Sequence, residues 1–122
     1  MRWYEGLRRT ANFGRAQRRG RRVRLETVSA FGFERRTGPF RVGVSVPASV
    51  GPAVRRNLVR RRIQGALAEL PPSQRPPRPP ADLVFVAHPA AAAASYADLA
   101  ADVRRALGRL WAAPAPAGVK RP

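Results

Sequence analysis

A chain of 122 residues and 13.4 kDa can bury one modest core and is too short for two. It carries 23 Arg and one Lys (Lys120) against seven acidic residues, a formal net charge of +17. That balance argues against an acidic-lined pocket and for a polyanionic partner, because the planar guanidinium fork matches phosphate oxygens. With no cysteine there is no disulfide framework, no cysteine-based zinc site and no thiol nucleophile, so a cytoplasmic location is expected. The small-apolar stretch over residues 87–101 is broken by His88, Pro89, Ser95 and Asp98, and it follows no basic leader. Neither a signal peptide nor a membrane span is expected, and no membrane partner.

In chain order, residues 7–19 read as a short helix, with Thr10, Phe13, Ala16 and Gln17 on one side, Arg8, Arg15, Arg18 and Arg19 around it, and Gly20 as its stop. From 22 to 33 the alternation has period two and predicts a strand with Val23, Leu25, Phe31 and Phe33 on one set and Val28 and Ala30 on the other. A turn at Thr37-Gly38-Pro39 leads to Phe40, Val42, Val44 and Val46, alternating with Arg41, Gly43 and Ser45. This second strand is expected to be the half-buried antiparallel partner of the first.

Pro47 and Gly51-Pro52 end that strand, and residues 53–70 take helical spacing through Val59, Ile63, Ala66, Leu67 and Leu70. The proline-rich stretch 71–81 is a stiff connection within the domain. Leu83-Val84-Phe85-Val86 has the length and composition of a fully buried strand, best placed as a crossover strand. The last helix is announced by a capping box, Ser95 with Asp98, and by Tyr96, Leu99, Val103, Leu107 and Leu110 at helical spacing, with Trp111 near its end. Residues 1–113 thus form one domain, and the proline-rich tail 114–122 is expected to be disordered.

The most informative segment is VGPAVRRNLVRRRIQG, residues 50–65. At about 100° per residue, Asn57, Arg60, Arg61 and Gln64 share one helix face opposite Val59, Ile63 and Ala66, with Arg56 at the edge. Asparagine is disfavoured inside a helix and points to a specific contact. A solvated surface face is the ordinary explanation of a charge run, but the net charge weighs against it here.

Val50-Gly51, Ala53-Val54, Arg56-Asn57 and Arg60-Arg61 resemble the hallmark of the protein subunit of bacterial ribonuclease P. Leu7-Arg8-Arg9 with Phe13, the strand from Phe40 to Val46, and Leu83 to Ala87 followed by Pro89 and Tyr96 extend the resemblance over residues 7–111. Leu58 replaces the family's usual second Arg of the motif, and Ala48 and Ser49 replace its paired lysines; Arg55 and Arg62 stand nearby as substitutes on another edge of the helix.

The resemblance implies an α+β domain of order αβββαβα, with a mixed sheet packed with helices and a left-handed βαβ crossover, where right-handed connections are otherwise the rule. It implies a protein that does not itself cut. Arg55, Arg56, Asn57, Arg60, Arg61 and Gln64 would bind the catalytic RNA subunit. Phe13, Gln17, Phe31, Arg8, Arg9 and Arg15 would hold the single-stranded 5′ leader of precursor tRNA, with Gln17 where many members have a second aromatic. Aromatic rings and cations suit single-stranded RNA because every base has a π-face; plain core packing is the alternative for Phe13 and Phe31. Phe33, Phe40, Phe85 and Tyr96 are expected in the core. His88, where the family often has Arg, has no nucleophile or carboxylate tied to it in sequence and is expected at an RNA edge.

The partners implied are ribonuclease P RNA and precursor tRNA, one protein to each RNA subunit, with magnesium shared with the RNA and none bound by protein alone. The scattered carboxylates offer no paired ligands and no catalytic residue. The competing readings are a ribosomal or ribosome-assembly RNA-binding protein and an autonomous nuclease.

Overall fold

In the computed structural model, which describes residues 2–76 and 80–112, the apolar run Leu83–Val86 lies at the centre of a five-stranded mixed sheet. Its strands are β1 (Glu5–Gly6), β2 (Arg21–Arg24), β3 (Val28–Glu34), β4 (Arg41–Ser45) and β5 (Ala81–Ala87), in the spatial order β1-β4-β5-β3-β2. The central strand pairs antiparallel with β3 and parallel with β4. Having neighbours on both sides and layers on both faces, it buries Leu83, Val84 and Phe85 completely.

Strand alternation separates two cores. On one face Val28, Ala30, Val42, Leu83 and Phe85 pack with Val59, Ile63 and Leu67 of α2 (Ala53–Ala68) and with Leu99, Val103 and Leu107 of α3 (Tyr96–Ala112). On the other, Phe31 and Val84 pack with Leu7 and with Ala16 of α1 (Thr10–Arg19). The α+β class and the helix-strand order hold, with β1 added ahead of α1.

Three expectations change. The strand read over 22–33 is two strands, β2 and β3, paired antiparallel around a turn at Leu25-Glu26-Thr27. The turn is held from 75 residues away: Thr27 donates both its backbone N–H and its hydroxyl to Asp102 Oδ2, at 3.2 and 2.6 Å. No alternation within 22–33 could reveal that anchor. Secondly, β4 is not the antiparallel partner of the preceding strand. It pairs parallel with β5 and β1, and β5 takes the place beside β3. The strand with apolar side chains on both faces gains most from two neighbours, so it displaces the half-polar β4 from the centre. Thirdly, Tyr96, expected in the core, is the first residue of α3 and is exposed, its hydroxyl donating to Glu69 Oε1 at 2.7 Å. That bond and partial burial raise the pKa of the phenol.

Residues outside the predicted elements close the fold. Trp3 Nε1 donates to the Leu67 carbonyl at 2.8 Å and its ring meets Tyr4 and Phe40 edge-on, while Phe40 meets Trp111 in the same way. The N-terminal arm is thereby fastened to α2, and β1 adds an edge to the sheet. At the start of α3, Ser95 Oγ accepts the Asp98 N–H at 3.0 Å, as the capping box requires. The proline-rich connection contains a short 3-10 turn, Pro72–Gln74, while residues 77–79 and the tail 114–122 lie outside the described residues.

Candidate nucleic-acid interface

The first surface is α2. Its apolar side is buried through Val59, Ile63, Ala66 and Leu67, which forces the intervening residues outward. Asn57, Arg61 and Gln64 are exposed and Arg60 is half-buried, with Arg60 Nη1 donating to Asn57 Oδ1 at 3.1 Å. The asparagine thus holds an arginine in place one turn on. Gly51, at φ 147°, makes the bend into the helix that a side chain would strain, and Arg56 Nε donates back to its carbonyl at 3.0 Å. Arg55 and Arg62 point to another edge, donating to the carbonyls of Ala92 and Ala94, each at 3.2 Å. Of the residues read as one RNA-binding set, Arg56, Asn57, Arg60, Arg61 and Gln64 come together, and Arg55 stands apart.

The second surface lies on the other face of the sheet. Phe13 packs against Gly43 so closely that a Cβ there would overlap its ring, so from α1, which lies over β3 and β5, this side chain reaches β4. The floor beside α1 is Phe31, Val84 and Val86. Register places Arg22 opposite Phe31 and Arg24 opposite Ser29, so both arginines share this face and both are exposed. Phe13 is half-buried, whereas Phe31 lies beneath the helix with 9% of its surface exposed. The two rings expected to line one cleft therefore differ: Phe13 stays partly open to solvent and Phe31 chiefly supports the floor. Gln17 is exposed one turn after Phe13.

His88 directly follows β5 on this face. Its Nε2 and Ser29 Oγ are 2.8 Å apart, and burial, reinforced by Arg24 and Arg22, lowers the imidazole pKa below 6.5. Ser29, Arg22 and Arg24 complete a polar rim that the sequence alone did not single out. Only the pairing of β2 with β3 brings them together.

A third feature was also invisible in sequence. Asp82, fully buried at the start of β5, accepts Arg41 Nε and Nη2 on its two oxygens at 2.7 and 2.8 Å, and lies 3.3 Å from Arg15 Nη2 and 2.9 Å from Arg35 Nε. The paired hydrogen bond to Asp82 raises the Arg41 pKa, against a smaller lowering by burial. Arg15 also places its guanidinium carbon 4.6 Å from the centre of the Phe33 ring, which is half-buried and not wholly in the core. Of the arginines assigned to the leader, Arg15 is thus tied to the protein, while Arg8 and Arg9 are exposed before α1.

These features define a class: a basic α+β domain of polyanion-binding type, presenting a guanidinium-bearing helix on one side of its sheet and an aromatic-floored cleft on the other. The family model for ribonuclease P matches residues 1–111. The protein component of ribonuclease P from Acidothermus cellulolyticus is 41% identical over 111 residues, covering 85% of this chain and 86% of that protein. The corresponding component from Nocardioides sp. is 43% identical over 113 residues, covering 87% and 91%. In fold, the chain is similar to the ribonuclease P protein of Staphylococcus aureus (TM-score 0.75, 20% identity, 87% of this chain and 94% of that one) and to that of Thermotoga maritima (TM-score 0.73, 18% identity, 86% and 96%). The chain belongs to the bacterial ribonuclease P protein family, as a protein subunit of that tRNA-processing ribonucleoprotein. Membership favours neither a ribosomal role nor an autonomous nuclease. Among the described residues no helix is long and apolar enough to cross a membrane.

Proposed function

We propose that the chain binds ribonuclease P RNA through the exposed face of α2, with Arg56, Asn57, Arg60, Arg61 and Gln64 in contact, and holds the 5′ leader of precursor tRNA along the cleft beside α1, one protein to each RNA subunit. Phosphodiester cleavage is assigned to the RNA. The observation that carries this reading is the placement of the two surfaces on opposite faces of one sheet: a protein so built can touch a large RNA and a single strand together. Arg22, Arg24, Arg8 and Arg9 supply cations around the cleft, and Phe13 a ring for stacking. Arg55 and Arg15 have the lesser parts of substitute and support.

The residues present do not fit a magnesium site held by the protein. Among the described residues no three acidic or histidine side chains converge, and the buried Asp82 and Asp102 already serve arginines. In this reading magnesium is held with the RNA.

The test is reconstitution at low magnesium, with precursor tRNA, cognate ribonuclease P RNA and the protein, each omitted in turn. The protein is expected to raise the rate of cleavage at the mature 5′ end only when the RNA is present. No gain from the protein overturns the reading, and cleavage by protein alone would establish a nuclease.

A further inference from the structure

Between the start of α1 and the edge strand β1 lies a groove of about 430 Å³ lined by Arg2, Arg8, Arg9, Arg41 and Asn12, with Glu5 as the carboxylate among its lining residues. Arg2, Arg8 and Arg9 are exposed, and the Arg2 guanidinium lies 5.0 Å from the centre of the Tyr4 ring. Arg41 is different in kind. Its Nε and Nη2 are both committed to Asp82, so the plane of its guanidinium is fixed while Nη1 stays outside that fork.

Asp82 also faces Arg15 and Arg35, so three guanidinium groups from α1, β4 and the connection before β4 converge on one buried carboxylate. Neutralising a buried carboxylate takes one arginine; two further cations held beside it repel each other and Arg41. The buried Nε of Arg15 has no hydrogen-bond acceptor among the described residues. Of this cluster only Arg41 also lines the groove, and a guanidinium held rigid on its Asp82 side amid surplus positive charge is what an oxyanion binder requires. Phe13, packed on Gly43, stands between Arg41 and Ser45 along β4; Arg2 and Arg41 line the groove, and Arg8 and Arg9 border both the groove and the cleft in which the leader is placed above.

We propose that this groove binds a phosphodiester of an RNA strand, and that Asp82 is the positioning residue that aims Arg41 at it. The proposal rests on the RNA-binding reading above and adds a site to it.

The test uses wild-type protein, Arg8→Gln/Arg9→Gln, Asp82→Asn and Arg41→Lys. Affinity is measured over a salt series for ribonuclease P RNA, for precursor and mature tRNA in the holoenzyme, and for a labelled single-stranded RNA dodecamer. Arg8 and Arg9 are exposed, so their double variant keeps the fold; it is expected to lose about tenfold in RNA affinity and to flatten the log-log salt slope by about 0.7 for each single-strand phosphate released. Asp82→Asn separates position from charge. It raises the net charge by one, so undirected attraction predicts tighter RNA binding, whereas a lost aim for Arg41 predicts weaker binding. Arg41→Lys keeps the charge and loses the fork, and it gives the same weakening should Asp82→Asn fail to fold.

Loss confined to precursor tRNA assigns the phosphodiester to the leader, and loss in assembly with ribonuclease P RNA assigns it to that RNA. Unchanged affinity and slope in Arg8→Gln/Arg9→Gln for every RNA overturns the groove. RNA binding as tight as wild type in folded Asp82→Asn and in Arg41→Lys overturns the positioning role. If wild-type protein fails to stimulate precursor cleavage, the proposed function falls, and the dodecamer series still decides the groove.

Discussion

Phe13 meets two demands with one ring. Its distal end, Cζ and the two Cε atoms, abuts Gly43, where only a missing Cβ allows the approach, and the half-buried ring keeps surface available to a base. Replacing it with alanine should cost ~1–3 kcal/mol of precursor tRNA affinity, the worth of one stacked base, and leave mature tRNA binding unchanged because mature tRNA has no leader. Equal losses for both RNAs in a binding titration would show that the ring only packs. His88 gives a different kind of prediction. Its pKa is lowered in the folded protein by burial and then by Arg24 and Arg22. Below pH 6.5 the unfolded chain therefore binds the proton that the folded chain resists, and stability falls on acidification. The thermal midpoint of wild-type protein should drop as pH is lowered from 6.5 to about 5, ahead of most carboxylate titration, and His88→Asn should flatten that part of the profile.

At the scale of elements, α2 illustrates how burial on one side creates function on the other. Val59, Ile63, Ala66 and Leu67 fix its rotation, and the opposite face then presents Asn57, Arg60, Arg61 and Gln64 without further instruction. The Asn57–Arg60 bond orders one of these cations in advance, which lowers the entropy lost on binding. Arg60→Ala should weaken assembly with ribonuclease P RNA by about 1.5–3 kcal/mol, the value of a hydrogen bond to a charged group, whether or not precursor tRNA is present. Asn57→Ala should cost less, since the arginine stays charged and loses only its tether. Gel-shift titrations of both variants against the RNA subunit alone measure the two effects. The α1 cleft follows another logic. Its floor is two strands and its wall one helix, and Phe13 against Gly43 ties that wall to the sheet.

For the whole molecule, a net charge of +17 on 122 residues means that attraction to RNA is general as well as local. Binding of the protein to single-stranded RNA should weaken steeply with salt, the log-log slope being about −0.7 for each phosphate contacted. A flat response, read by fluorescence anisotropy over a potassium chloride series, would remove the electrostatic account at both surfaces.

Periodicity alone determined that α2 and α3 exist and which sides they bury, because a helix face is written in residues three and four apart. Composition determined the class of partner, and the short motif from Val50 to Arg61 marked the basic helix at the right place. The helix set of candidate residues was legible for that reason, apart from Arg55, whose direction depends on the carbonyl of Ala92. Strand neighbours were not legible. Alternation says which side chains share a face and nothing about which strand lies alongside, so β2 and β3 read as one strand and β4 was given the wrong partner. The turn at Thr27 depends on Asp102, and the Asp82 cluster draws on residues 15, 35, 41 and 82. Only the tertiary structure decided the cleft, its Arg22–Arg24–His88 rim and the groove beside β1, because each is an arrangement of residues that chain order keeps apart.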